Sequence, residues 1–196
     1  MDGLRLRGVA VLPLAVLTES VTHQLEKKLE LTGTPPESVT SKDVRTFLAL
    51  YGLTGQPVYV DYDGSDGYEP NHCHISVKHV ALTKKGKRIH GWALWQFEGF
   101  VLGEFHSIWE NPAGEWIDVT PPKWGADKVL FVADPTLSIY DHGEVQALYC
   151  DRSSIEGHRY WFQGTPMTEE EWAIPNDHPE LKRYCDKLGL PNTSMV

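Results

Sequence analysis

The chain reads as an α+β protein, built on a helix that starts at a cysteine and packs on an antiparallel sheet, with further helices towards both ends. Three observations predict this class. Segments with helical spacing lie within the first fifty residues and near the C-terminus, and strand-like segments lie between them. The strand-like segments from His90 to Thr120 are separated by only a few residues. Short gaps favour antiparallel pairing, because parallel neighbours need a long crossover. Finally, a polar turn, Asn71-His72-Cys73-His74, leads into a stretch with partly helical spacing.

The 196 residues suffice for one sizeable core and fall short of two full domains. One domain over 1–196 is expected. It has a mainly helical part (1–55), an α+β core of catalytic type (56–150) and a helical C-terminal extension (151–196). Hydrophobic residues make up 41% of the chain, enough to fold without staples. The net charge of −9 suits a phosphate backbone poorly, and there is no long basic run, so no nucleic-acid partner is expected. Cys73, Cys150 and Cys185 are odd in number, widely spaced and free of any CxxC pair. This argues against a disulfide framework and a thiolate zinc site. A reducing, cytoplasmic compartment fits best.

Arg5 and Arg7 precede an apolar run at 8–17, much as in a signal peptide. Asp2 dilutes the positive start, and Thr18-Glu19-Ser20 follows with no small-x-small cleavage pattern. The run is too short to span a bilayer, so neither export nor a membrane partner is expected. Residues 1–20 read as a short strand or buried arm interrupted at Pro13. Val21, Leu25 and Leu29 give a helix over 19–31. Gly33 and Pro35-Pro36 stop it. Thr40 or Ser41 can cap a helix over about 42–51, with Val44, Phe47, Leu48 and Tyr51 on its apolar side and Gly52 at its end.

Residues 56–62 read as a strand, from β-branched and aromatic content. Residues 63–67 read as a plain turn-rich loop, lacking the ligand spacing of an EF-hand. Asn71 is a candidate N-cap for a helix over 72–82, although Ile75–Leu82 also admits a strand. Lys84-Lys85-Gly86-Lys87 is a solvated turn. Strands follow at 90–97, 100–109 and 115–120, with a turn at 111–114. Further strands are expected at 128–132 and 145–149, then an aromatic segment at 159–164. Thr168-Glu169-Glu170-Glu171 is a capping box opening a short helix. Pro179 opens the last helix, which Gly189 ends.

Cys73, His106 and Asp118 are the candidate catalytic residues. A thiolate is the reactive form of cysteine, and both a helix N-terminus and a nearby imidazolium favour it. Histidine can protonate a leaving group while a carboxylate orients the ring. Side chains alternate along a strand. His106 therefore shares a face with Glu104 and Ile108, and Asp118 with Trp116 and Thr120. The turn at 111–114 lets His106 and Asp118 sit side by side. Trp92, Trp95, Trp109 and Trp116 fit core or pocket wall and are the candidate substrate-binding residues. Cys150 and Cys185 read as small buried hydrophobes.

The order of a helix-start cysteine, a strand, His106-Ser107-Ile108-Trp109, then Gly114-Glu115-Trp116-Ile117-Asp118-Val119-Thr120-Pro121 resembles the transglutaminase-like branch of the papain-like thiol enzymes. The resemblance covers about residues 70–121. It implies a papain-like core, with Cys73 as nucleophile, His106 as base and Asp118 as orienting acid. The implied activity is hydrolysis or acyl transfer at an amide or peptide bond. Peptide, protein or small amide substrates would be the partners, with no cofactor. Two departures stand out: the helix after the cysteine is short and basic at its end, and His72 and His74 flank the cysteine. The oxyanion donor could be the Cys73 N–H, Gln56 or a tryptophan. Two other readings are a zinc-dependent hydrolase using His72, Cys73, His74, His106 and Asp118 or Glu104, and a non-enzymatic binding protein with a structural Cys–His–Asp cluster.

Overall fold

A computed structural model describes residues 32–196, save 156, 158, 163, 164, 192 and 194. The arm expected over 1–20 and the helix expected over 19–31 lie outside the described residues. The rest is an α+β fold whose named strands pair antiparallel. No helix among the described residues is long and apolar enough to cross a membrane.

Helix α1 (Lys42–Leu50) starts where the sequence predicts it. The Ser41 hydroxyl accepts the Val44 N–H at 3.2 Å, a side-chain N-cap. Val44 and Phe47 are its buried residues. Phe47 reaches the sheet because position 103 is glycine: a Cβ there would lie 2.3 Å from the Phe47 ring. Strand β1 (Val58–Asp61) follows. The loop after it is a short 3-10 turn, with Asp63 Oδ1 accepting the Ser65 N–H at 2.9 Å.

Helix α2 (Cys73–Lys84) resolves the choice between helix and strand at 72–82. Cys73, His74, Ile75, Ser76, Val77 and Val80 are all buried, so burial runs around most of the first two turns. That leaves no clear 3.6-residue stripe to read. The expected cap is corrected by one residue. Asn71 adopts φ 64°, and His72 is the N-cap, without a side-chain capping bond. Asn71 is one of the few residues that tolerates this left-handed conformation, so it turns the chain into the helix instead of capping it.

Strands β2 (Lys87–Phe97) and β3 (Phe100–Glu110) form a long hairpin, in register from Lys87 opposite Glu110 to Phe97 opposite Phe100. Strand β5 (Lys128–Ala133) lies between β1 and β2. On the far side of β3 come β8 (Asp151–Ser153), β9 (Tyr160–Phe162) and β10 (Thr165–Met167). The expected strand over 115–120 shortens to β4 (Trp116–Ile117), which pairs with the end of β3. Beyond Ile117 the chain leaves β3, and Asp118 makes a parallel bridge with Tyr62.

A second sheet is ordered β11 (Glu171–Pro175), β7 (Val145–Tyr149), β6 (Tyr140–Asp141). The short helix expected from the capping box at 168–171 is thus overturned. Trp172 and Ile174 pack from alternate positions against the core, and pairing along β7 outweighs a local helix signal. Among its described residues the C-terminal part accordingly carries four strands ahead of one helix, α3 (Pro179–Leu188). Gly189 ends it at φ 69°.

The main sheet buries both faces. Trp92, Leu94, Phe105, Trp109, Leu130 and Val132 pack with the helices, while Ala93, Trp95, Ile108, Val129 and Phe131 form a second cluster. These two sets follow the alternation of side chains along each strand.

Candidate active site

Strand β3 is paired to β8 at Leu102 and Gly103 and to β4 at Trp109 and Glu110. Between these positions, no strand pairs with that edge among the described residues. Glu104, Phe105 and His106 line this gap, and the N-terminus of α2 meets it from the helical side. A cavity of about 530 Å³ opens there, lined also by Cys73, Thr120 and Lys123.

His106 Nε2 lies 3.0 Å from Asp118 Oδ2. A carboxylate can only accept, so the ring N–H donates. Asp118 has no solvent exposure and His106 is 5% exposed. The other Asp118 oxygen accepts the Thr120 N–H at 3.0 Å. The Asp118 backbone is clamped as well, its N–H donating to Asp61 O and its carbonyl accepting from Asp63 N–H. The second imidazole nitrogen, Nδ1, is buried without a hydrogen bond of normal geometry. Cys73 is nevertheless near enough to act on the ring. Burial alone would lower the imidazole pKa, but the Asp118 charge, the nearby Cys73 and the hydrogen bond to Asp118 raise it well above the ordinary value. Desolvation loses because the Asp118 carboxylate directly adjoins the imidazolium.

Cys73 is the first residue of α2 and is 7% exposed. The first helical hydrogen bonds run from Ile75 and Ser76 N–H to the His72 carbonyl. The Cys73 and His74 N–H groups precede them and are the orphan donors of the helix start. Cys150 and Cys185 are buried too. Burial, the largest cause in each, pushes the Cys150 thiol up to about 12 and raises that of Cys185. Both fit the expected structural role.

Three charged cavity residues were not singled out by the sequence as a group. Lys123 Nζ lies 2.9 Å from Glu104 Oε1 and 3.6 Å from Asp151 Oδ2. Burial opposes the Lys123 charge, yet Glu104 and Asp151 raise its pKa, and Cys73 adds to this. Burial raises the Asp151 carboxyl to about 6 against the pull of Lys123, with Glu104 adding repulsion. Glu104 is also pushed up by burial, but Lys123 and His106 outweigh this and its pKa falls. Only Glu104 had a sequence signal, its shared parity with His106. Lys123 and Asp151 arrive from separate elements.

The four tryptophans are placed differently. Trp95 lines the cavity and donates from Nε1 to Glu104 Oε2 at 3.1 Å. Trp92 is fully buried and bonds Asp134. Trp109 donates to the Lys85 carbonyl, and Trp116 to Glu110. The last three are absent from the cavity lining, as is the exposed Gln56. Among the described residues, no group of three or more His, Cys, Asp or Glu side chains is placed to hold a metal ion. The His72 ring stacks on Tyr184 at 4.3 Å, and His74 Nδ1 is bonded to Ser107.

No protein-family model matches the chain, and comparison with curated proteins and with solved structures finds no similar one.

Proposed function

We propose that the chain is a thiol-dependent hydrolase or acyltransferase that acts on an amide or peptide bond, with a papain-like, transglutaminase-like core. The observation that carries this reading is the buried His106–Asp118 pair, whose free ring nitrogen is left to a cysteine at a helix N-terminus, beside a cavity. The thiolate of Cys73 attacks the carbonyl carbon, forming a C–S bond and an oxyanion. The orphan N–H groups of Cys73 and His74 are the candidate donors to that oxyanion, supported by the helix dipole. Collapse of the intermediate breaks the C–N bond, and His106 gives its Nδ1 proton to the departing amine. Water or an amine then attacks the thioester, His106 takes the incoming proton, and the C–S bond breaks to restore the thiolate. Asp118 keeps the imidazolium oriented throughout.

Iodoacetamide labelling with peptide mapping tests this directly. At about pH 6, where an ordinary thiol is almost wholly protonated, Cys73 should alkylate at least about tenfold faster than a free cysteine. Cys150 and Cys185 should stay unlabelled in the folded protein. His106→Ala should remove the Cys73 advantage. Equal rates for Cys73 and a free cysteine across the pH range would sink the thiol-enzyme reading and leave a binding role for the cluster.

A further inference from the structure

We propose that a buried chain, His74–Ser107–His90, positions the nucleophile against its base, holding Cys73 in line with His106 through the residues next to each in sequence. This rests on the thiol-enzyme reading of Cys73 and His106. His74 Nδ1 lies 2.7 Å from Ser107 Oγ, and Ser107 Oγ lies 2.9 Å from His90 Nδ1. Ser107 is fully buried and His74 nearly so. His90 stands directly across from Ser107 in the β2–β3 register. The Phe105 ring packs against both imidazoles, at 4.4 Å from His74 and 5.6 Å from His90.

The arrangement pairs neighbours with neighbours. Cys73 and His74 are the first two residues of α2, and His106 and Ser107 are consecutive on β3. Alternation along β3 turns His106 and Ser107 to opposite sides. His106 faces Asp118 at the open edge, while Ser107 faces α2. The His74–Ser107 bond therefore fixes the first turn of α2 on the sheet, and with it the place from which Cys73 reaches the edge. No side-chain cap does this, because His72 makes no capping bond. A side-chain cap on the second helical N–H would also occupy that of His74, one of the two assigned above to the oxyanion. Arg88 adds a second tie, donating to the His74 carbonyl at 3.3 Å.

The hydroxyl of Ser107 has one proton and meets two Nδ1 atoms. With both rings neutral, one imidazole accepts at Nδ1 and the other donates, so the two rings hold opposite tautomers. Neutrality follows from the surroundings. Burial, then the neighbouring His90, Arg88 and His106, keeps His74 well below the ordinary histidine pKa. Burial and then Arg88 hold His90 down to about 4. The network is consequently uncharged where the neighbouring His106 is charged, and it does not compete for the proton that Cys73 gives up.

The test is the pH–rate profile of Cys73 alkylation by iodoacetamide, followed by peptide mapping, beside a melting curve. In Ser107→Ala the rate at about pH 6 should drop about tenfold, the worth of one buried hydrogen bond. The rate at about pH 10, where an unperturbed thiol is ionised, should stay within about twofold. Ser107→Thr keeps the hydroxyl and should recover most of the lost rate. Should Ser107→Ala fail to fold, His90→Ala removes the half-buried end of the same chain, and its rate at about pH 6 should fall about threefold. A Ser107→Ala protein that melts earlier but keeps the wild-type profile overturns the inference, since a merely structural serine would do that. If His106→Ala alters the profile and Ser107→Ala does not, the positioning role alone fails. If the wild-type profile is that of a free cysteine, both readings fail.

Discussion

Asp118 is a carboxylate with no exposed surface, and its charge is tolerated because His106 and the Thr120 N–H meet it. A buried charge left without a partner is far costlier than one that is paired. The pair also sets a pH dependence with a definite sign. The folded pKa of His106 is raised above its ordinary value of about 6.5. Its contribution is therefore fully present below that value and is lost as pH rises through the folded pKa. Asp118→Asn keeps the shape and removes the charge. Urea unfolding should show a cost of about 2–4 kcal/mol at pH 6, shrinking towards alkaline pH. A cost that is equal at both ends, or grows with pH, would contradict the ion pair. The parity argument for this residue holds in the structure. Extending the β3–β4 register places Asp118 opposite Ile108, on the His106 side, although the ladder itself ends at Ile117.

Among the elements, α1 was the most legible, because its cap and its apolar spacing are both local. Its docking on the sheet depends on Gly103, whose missing side chain makes room for the Phe47 ring. Gly103→Ala forces the ring away, and overpacking of this kind costs about 1–3 kcal/mol. Phe47→Leu alone should lose about 1–2 kcal/mol, for lost contact area. In the double variant the smaller side chain admits the new methyl, so the combined loss should be less than additive in urea melts. Strict additivity would place the strain elsewhere. α2 was less legible for the converse reason. Its β-branched residues suit a strand, and its near-complete burial erased the helical stripe. Packing on β2 and β3 decided the matter.

At the scale of the molecule, the C-terminal tail closes over the site from a distance in sequence. Met195 is buried among the helix-side core and lines the cavity. Its N–H is accepted by Gln146 Oε1, and its carbonyl accepts from Arg88, the same side chain that reaches the His74 carbonyl. Gln146 is itself fully buried and donates to Asn176 Oδ1 at 2.5 Å. The tail thus joins the second sheet to the start of α2. Met195→Ala should cost about 2–3 kcal/mol by denaturant unfolding, as for other buried methionines. It should also widen the cavity, speeding labelling of Cys73 by bulky maleimides more than by iodoacetamide. An unchanged selectivity would mean that Met195 does not limit access.

The sequence by itself determined the α+β class, the β2–β3 hairpin, the cap of α1 and the candidate trio of Cys73, His106 and Asp118. Each depends on short-range information: spacing, turn residues, or parity across a tight connection. It also suggested a short helix opened by the capping box at 168–171, where the fold has strand β11 instead, since a capping box is local and the pairing of β11 with β7 is not. Only the tertiary structure decided which tryptophans face the cavity, that His72 and not Asn71 is the N-cap of α2, and that His74, Ser107 and His90 join. Only it brought Lys123 and Asp151 to Glu104. These residues come from elements far apart in the chain, and the free energy that brings them together is burial of the two sheet faces, which no short window of sequence contains.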